Sequence, residues 1–178
     1  MTSKNEKITM LHGAGGSVMH DFVKNYVVKY FGGLESVAEV PLEAMDDAAV
    51  VGDTVFKSDS HAVKPIFFPG GDIGRLSISG TVNDISCLGA KPYALACGLI
   101  LEEGLAVADL ERFLASMRQT CVEADVSIVT GDTKVVEKGT LGGCVMNVSG
   151  MGKRTPALEN NLEVVRRYRA FSARWTLD

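Results

Sequence analysis

Two apolar segments place the strongest constraint on the fold, because neither carries the polar face of a strand that borders water. Residues 94–101 read Ala-Leu-Ala-Cys-Gly-Leu-Ile-Leu, and residues 144–148 read Cys-Val-Met-Asn-Val. Strands of this kind are covered on both faces of their sheet. The helical patterns in the chain are sufficient for one face only. We therefore predict a homodimer, in which a second copy of the chain covers the other face.

Hydrophobic periodicity predicts the remaining elements. Apolar residues at helical spacing indicate helices that begin near residues 17, 72 and 107. Gly80 interrupts the second helix, which costs about 1 kcal/mol relative to alanine unless a neighbour packs closely there. Gly52-Asp53 is the expected hairpin turn between the first two strands. The further strands are expected over residues 48–51, 54–58, 127–130, 133–136 and 141–150.

The carboxy-terminal segment differs in composition from the rest of the chain. Residues 153–178 contain no glycine and five arginines, whereas the whole chain has 19 glycines. We expect residues 1–152 to form the folded domain and residues 153–178 to form an arginine-rich tail that is helical in part. The apolar stripe of that helix would consist of Leu158, Leu162, Val165 and Tyr168.

Charge and hydropathy argue against several classes of function. A formal net charge of -4 gives no support to nucleic-acid binding, which needs a basic surface. No signal peptide is visible, and the longest apolar run is too short to span a bilayer, so we expect a cytoplasmic protein that does not bind membranes. The four cysteines form no Cys-x-x-Cys pair, which favours buried free thiols over a zinc site.

The placement of aspartates is the strongest chemical signal. Each of six stands at the end of a predicted element or in a glycine or serine context, where a single aspartate is usually a helix cap or a turn residue. Several carboxylates that converge on one cleft need a cation, and hard oxygen ligands favour magnesium or calcium. Magnesium commonly bridges carboxylates to the phosphates of a substrate. The six are Asp46, Asp47, Asp59, Asp72, Asp84 and Asp132.

Two further features suit a phosphate ligand. The run His12-Gly13-Ala14-Gly15-Gly16 stands directly before a predicted helix, where free backbone N–H groups and the helix dipole favour anions. It is neither a P-loop nor a dinucleotide fingerprint, because the residues that follow do not fit either pattern. Lys134 follows Gly131-Asp132-Thr133 and is placed to neutralise charge on a transferred phosphoryl group.

A resemblance to a known superfamily joins these segments. The motifs that carry it occur in order: Gly13-Ala14-Gly15-Gly16, Asp46-Asp47-Ala48-Ala49-Val50, Ser58-Asp59-Ser60-His61, Phe67-Phe68-Pro69-Gly70-Gly71-Asp72-Ile73-Gly74, Gly80-Thr81-Val82-Asn83-Asp84, Gly89-Ala90-Lys91-Pro92 and Gly131-Asp132-Thr133-Lys134-Val135. Over about residues 8–152 the chain resembles the ATP-binding domain of the aminoimidazole ribonucleotide synthetase superfamily. Within that superfamily it is most similar to the hydrogenase maturation proteins of the HypE type.

The resemblance implies a fold and an activity. The fold would be the α+β, two-layer amino-terminal domain called PurM-like, a mostly antiparallel sheet with helices on one face whose strands join those of a partner into a barrel across a dimer. ATP would bind near that interface, with Mg²⁺ held by aspartates. HypE proteins are carbamoyl dehydratases, which use ATP to convert a thiocarboxamide on their own carboxy-terminal cysteine to a thiocyanate for the cyanide ligands of nickel–iron hydrogenase. The implied partners are a carbamoyltransferase and hydrogenase maturation scaffold proteins.

The resemblance also assigns roles to residues. Lys134 would contact the phosphates and, together with Asp84, would be catalytic. Asp72 and the loop glycines Gly13, Gly15 and Gly16 would shape the nucleotide loops. The expected metal and phosphate ligands are Asp46, Asp47, Asp59, Asp84 and Asp132.

The chain departs from the family pattern at its carboxy-terminal end. Family members carry a second domain and a terminal acceptor cysteine, whereas this sequence ends in Trp175-Thr176-Leu177-Asp178 and its last cysteine is Cys144. We expect the full reaction to be incomplete on this polypeptide, as in a truncated or frameshifted product. Two alternatives stay open: another ATP enzyme of the superfamily, such as thiamine-monophosphate kinase, and a non-catalytic dimerisation module. Selenophosphate synthetase is disfavoured, because no cysteine precedes Cys87.

Overall fold

The computed structural model of the protein describes residues 7–33, 37–40 and 42–163. The chain divides into two compact units, Met1–Asp46 and Asp47–Asp178. In the first unit, a 3-10 helix over Met10–Gly13 precedes α1 (Gly16–Phe22). A π-helical segment, Val23–Val28, continues α1 into α2 (Lys29–Phe31), so the predicted helix exists but contains a π turn. A second 3-10 turn spans Leu42–Ala44.

The second unit contains the sheet and two long helices. The elements, in chain order, are β1 Ala49–Val51, β2 Thr54–His61, β3 Phe67–Phe68, β4 Gly71–Asp72, α3 Ile73–Cys87, β5 Lys91–Glu102, α4 Val107–Glu123, β6 Ser127–Val136 and β7 Cys144–Lys153. The five-stranded sheet has the order β1-β2-β7-β5-β6, and β3 with β4 forms a separate ribbon before α3. All neighbouring strands are antiparallel except β5 and β6, which are parallel and connected by α4. The predicted α+β class with a mostly antiparallel sheet is confirmed.

Helices α3 and α4 pack against each other and against one face of the sheet. Alternate residues of β5 and β7 point into the core beneath them, as the period of two in a strand requires. On the opposite face lie Phe56 of β2 and its neighbour Met151 of β7, which are 47% and 38% exposed. Among the described helices, none has the length and hydropathy needed to cross a membrane. The main core residues are Ile73, Ile78, Leu95, Cys97, Phe113, Met117, Met146 and Val148.

Small residues bring α3 close to the sheet. Ser77 and Thr81 are fully buried, and their hydroxyl groups donate to the helix carbonyls of Gly74 and Ser77 at 3.0 and 3.1 Å. A methyl group added at Gly150 of β7 would lie 2.7 Å from Ile85 Cδ1, so the glycine there permits this approach. The helical spacing of apolar residues in α3 predicts that Leu76 faces inward together with Ile73, but this prediction is wrong, since Leu76 is 38% exposed. The inward face was misassigned because small and polar residues, Ser77 and Thr81 among them, occupy it together with buried isoleucines.

Two other local expectations need correction. The predicted pieces 127–130 and 133–136 form one strand, because β6 pairs with β5 from Ser127 to Val136, with a register shift at Val129 and no break at Gly131. Cys87, at the end of α3, is exposed, whereas the other three cysteines are buried as expected. Burial raises the pKa of the thiols of Cys97, Cys121 and Cys144.

The first part of the predicted tail packs against the domain. Residues 156–163 are helical, and Leu158 and Leu162 are 0% and 5% exposed. Asn161 Nδ2 donates to the carbonyl of Leu88 at 2.9 Å, and Arg154 Nη1 donates to the carbonyl of Gly52 at 2.8 Å. Residues 156–163 of the expected tail thus form a helix whose leucines are buried. Its other two apolar positions, Val165 and Tyr168, lie outside the described residues.

A carboxylate anchors the loop that crosses the end of β5. The loop from β6 to β7 must pass over the end of β5, because β5 lies between those two strands in the sheet. Glu102, the last residue of β5, accepts hydrogen bonds from the backbone N–H groups of Gly139 and Gly143 in that loop. Burial alone would raise the pKa of Glu102, but the bonds from Gly143, Gly139, Leu141 and Gly142 outweigh it and lower the pKa below its ordinary value.

Candidate functional site

Three polar side chains of β2 lie on the side of the sheet that faces α3. Lys57, Asp59 and His61 occupy alternate positions, so they share one face of the strand. Their partners in β7 are Gly150, Val148 and Met146, of which the last two belong to the core beneath the helices. Directly paired residues of an antiparallel sheet point to the same face. The carboxylate of Asp59 therefore lies at the border between sheet and helix.

Helix α3 contributes Gly80 and Asp84, which are one turn apart on the same side of the helix. A methyl group at Gly80 would lie 2.6 Å from His61 Nε2 and 3.3 Å from Asp59 Oδ2. Lys57 Nζ lies 2.7 Å from Asp84 Oδ2, and the two side chains are 19% and 29% exposed. The five residues thus form one polar site, which we call the β2–α3 site. Glycine at position 80 makes room for it, and this close packing explains the interrupted helix.

His61 is the most buried polar side chain of the β2–α3 site. Its side chain is 9% exposed, and its Nε2 lies 3.3 Å from Asp59 Oδ2. Its Nδ1 is buried and has no hydrogen-bond partner within the described part of the chain. Buried polar groups are nearly always satisfied, so an orphaned one indicates a position that an additional group completes.

The β2–α3 site fits a divalent cation that is shared with phosphates. Magnesium is usually held by one or two carboxylates together with water and phosphate oxygens, and Asp59 and Asp84 supply two carboxylates. The ammonium group of Lys57 stands beside Asp84 as a positive charge in the place where a cation would bind. Within residues 7–33, 37–40 and 42–163, no group of three or more histidine, cysteine, aspartate or glutamate side chains is arranged to hold a metal ion. A cation in the β2–α3 site would therefore need further oxygen ligands from the phosphates that share it.

Asp132 and Lys134 lie on the opposite face of the sheet. They pair in register with Gly98 and Ile100 of β5, which alternate with the core residue Leu99. The structure therefore brings Asp59 and Asp84 together, while Asp132 is on the other side of the sheet in the same chain. Near Asp132 on that face, a hydrogen-bonded row of polar side chains joins β2 to β7. Its members are Ser58, Ser60, Asn147 and Ser149.

The remaining aspartates have other surroundings. Asp72 is the N-cap of α3, and its Oδ1 accepts a hydrogen bond from the backbone N–H of Arg75 at 2.9 Å. Its side chain therefore begins the helix that carries Gly80 and Asp84. Asp46 and Asp47 are exposed and stand just before β1.

The glycine loop forms the helix entrance that the sequence predicts. Gly13 ends the 3-10 helix, Gly15 is the N-cap of α1, and Gly16 is its first residue. Gly15 and Gly16 have φ values of 80° and 71°, which residues with side chains rarely adopt. A methyl group at any of the three would meet no atom within 4 Å. The backbone here is open to a ligand.

Lys57, His61 and Gly80 are the members of the β2–α3 site to which the sequence analysis assigned no role. Lys57 was overlooked because a single strand lysine carries no motif of its own. The signal that would have found it is its spacing of two from Asp59 and of four from His61, which places all three on one face. Gly80 carried a signal, the interruption of a helix, but its neighbours become known only from the fold.

Much of the chain matches a known protein family. Residues 45–153 match the sequence profile of the family described as AIR synthase related protein, N-terminal domain. The match covers β2 and α3, which form the β2–α3 site, as well as Asp132 and Lys134. The chain therefore belongs to the family of AIR synthase related proteins and carries its N-terminal domain.

Its named relatives within that family are hydrogenase maturation proteins of the HypE type. A putative hydrogenase expression/formation protein of Methanocaldococcus jannaschii is 47% identical over 150 residues, which are 82% of this chain and 44% of the relative. The carbamoyl dehydratase HypE of Cupriavidus necator is 44% identical over 153 residues, 84% of this chain and 42% of the relative. The chain thus spans less than half the length of these relatives.

Solved structures agree with this assignment. A HypE–HypF complex contains a chain with a TM-score of 0.68 and 45% identity, which matches 74% of this chain and 42% of its own length. HypE in complex with ATP has a TM-score of 0.57 and 44% identity over 81% of this chain and 42% of its own. A thiamine monophosphate kinase of Aquifex aeolicus is only 17% identical at a TM-score of 0.55, so it shares the fold and gives no support to that alternative activity.

Proposed function

We propose that the chain binds ATP as the nucleotide-binding part of a HypE-type carbamoyl dehydratase. The observation that carries the proposal is the similarity to HypE solved in complex with ATP, at 44% identity over 81% of the chain. In the whole enzyme, ATP would drive the dehydration of a carboxy-terminal cysteine thiocarboxamide to a thiocyanate for the cyanide ligands of nickel–iron hydrogenase. The expected acceptor cysteine has no counterpart among the four cysteines of this chain, the last of which is Cys144.

The β2–α3 site is the proposed position of Mg²⁺. Asp59 and Asp84 would hold the ion, which when bound neutralises charge on the nucleotide phosphates. The carboxylates belong to two elements whose packing fixes their separation, since β2 and α3 meet at Gly80. The open N–H groups around Gly15 and Gly16 would bind phosphate oxygens.

Asp132 and Lys134 require a second copy of the chain in this proposal. Within one chain they lie on the face of the sheet opposite to the β2–α3 site. That face also carries the exposed side chains of Phe56 and Met151, and we propose that it meets its counterpart in a homodimer. Lys134 and Asp132 would then contact the phosphates at the dimer interface. Lys134 would have its predicted catalytic role there.

Further partners and the location follow from the relatives. A complex of HypE with HypF has been solved, and we propose a HypF-type partner for the protein to which this chain belongs. The expected carbamoyltransferase and scaffold partners are proposals of the same kind, testable by co-purification. We also propose a cytoplasmic location, since all four cysteines are unpaired, as is usual in a reducing compartment.

Binding of Mg–ATP to aspartate variants tests the proposal. Asp59→Asn and Asp84→Asn each remove one metal-binding charge, and we expect each to weaken Mg–ATP binding about tenfold or more, measured by titration calorimetry. Asp125→Asn is the matched control, because the Asp125 side chain is 84% exposed and pairs with Lys91 away from the β2–α3 site. Equal affinity for wild type and for both site variants would refute the proposed site.

A further inference from the structure

The proposed function gives no role to Lys57, although this residue is a member of the β2–α3 site. Its ammonium group lies 2.7 Å from Asp84 Oδ2, and its side chain is 19% exposed. It shares the strand face of Asp59, two positions away, so its charge acts on both proposed metal ligands. The side chain therefore stands where a cation is expected.

We propose that Lys57 is an internal competitor of the divalent cation at Asp84. This inference rests on the proposed function, in which Asp84 is a metal ligand. A carboxylate oxygen that accepts a hydrogen bond from an ammonium group at 2.7 Å is not available to a metal ion in the same position. A divalent cation binds to Asp84 only when the Lys57 side chain has moved away, and the flexible four-carbon stem of lysine permits that movement.

Partial burial gives the ion pair its strength. The side chains of Lys57 and Asp84 are 19% and 29% exposed, whereas those of the pair Lys91–Asp125 are 66% and 84% exposed. Water screens the exposed pair much more, so its energy is close to zero, while a pair at the border of the core is stronger. The competition consequently lowers the affinity for a free divalent cation. A nucleotide offers its own oxygens to the metal and a new anionic partner to the displaced lysine, so the metal is taken up together with ATP.

Binding of Mn²⁺ to the full chain tests this role without any activity assay. Electron paramagnetic resonance measures free Mn²⁺ during titration, first without nucleotide and then with ATP. We expect Lys57→Gln to bind free Mn²⁺ about fivefold more tightly than wild type, because the free energy of a partly buried ion pair corresponds to about this ratio of affinities. The gain should be smaller in the presence of ATP. Lys57→Arg keeps the positive charge and should keep the low affinity, and Lys91→Gln is the matched control without effect.

Each outcome decides between the two proposals. If Asp84→Asn weakens Mn²⁺ binding but Lys57→Gln leaves it unchanged or weakens it, then Lys57 is not a competitor, although the metal site stands. If Asp84→Asn leaves binding unchanged, the proposed metal site itself fails. Circular dichroism checks that the variants are folded, and Lys57→Met, which keeps an aliphatic stem, replaces Lys57→Gln in the same comparison if that variant does not fold.

Discussion

Two glycines of α3 differ in what surrounds them, and alanine at each should separate packing from function. A methyl group at Gly74 would lie 2.8 Å from Met117 Cγ and closer still to the backbone carbonyl oxygen of Phe113 in α4. A methyl group at Gly80 would instead meet the end of the His61 side chain at 2.6 Å. The first obstacle is backbone of a neighbouring helix, and the second is a ring that can rotate.

The expected loss of stability in Gly74→Ala follows from two opposing effects. Alanine favours a helix over glycine by about 1 kcal/mol. An ordinary carbon–oxygen contact needs at least about 3.3 Å. Helices α3 and α4 must therefore move apart by roughly 1 Å. Overpacking of this kind costs up to about 3 kcal/mol. The net destabilisation is about 2 kcal/mol. For a chain of 178 residues this corresponds to a melting temperature lower by about 4–8 °C.

Scanning calorimetry of the two variants provides the comparison. In Gly80→Ala the same helix propensity gain opposes a smaller steric cost, so we expect a melting temperature within about 2 °C of wild type. Mg–ATP affinity should fall in that variant, because His61 and Asp59 are displaced. A melting temperature that rises in Gly74→Ala, as for glycine replaced in an unobstructed helix, would refute the packing argument.

Two further predictions concern the loop anchor and the open face of the sheet. The folded-state pKa of Glu102 is depressed, so its bonds to the loop stabilise the protein fully above the ordinary glutamate range and are lost as the pH falls through the folded pKa. Glu102→Gln should therefore melt at a lower temperature than wild type at pH 7, the difference should shrink as the pH falls through the folded pKa, and a difference that stays constant would contradict this. Phe56→Lys should convert a dimer to monomers in sedimentation velocity, whereas Val122→Lys, at an equally apolar but helical surface position that is 71% exposed, should not. A wild-type chain that is monomeric at 100 µM (about the concentration range of such an experiment) would end the dimer proposal.

The sequence predicts the layers of this fold better than the orientation of its side chains. The apolar runs at 94–101 and 144–148 correctly indicated two central strands, β5 and β7, because their hydrophobicity does not depend on register. The inward face of α3 was harder to predict, since buried Ser77 and Thr81 satisfy their hydroxyl groups within the helix. Hydrophobic periodicity cannot detect buried positions that are occupied by polar residues of this kind.

The candidate site shows the same limit more clearly. Position in turns and strand ends identified Asp59 and Asp84, which the structure brings to one site across Gly80. It also identified Asp132, which the strand register places on the opposite face. Whether two aspartates from distant segments share a face depends on the pairing of whole strands, and a shift of one residue reverses it. Motifs therefore select candidate residues, while only the fold says which of the candidates share a face.

Anomalous scattering from Mn²⁺ in crystals soaked with Mn–ATP tests the central claim most directly. The account predicts a peak within coordination distance of the carboxylates of Asp59 and Asp84, with the Lys57 ammonium moved away from Asp84. A peak held by Asp132 alone on the open face of the sheet, with the ion pair of Lys57 and Asp84 intact, would contradict it.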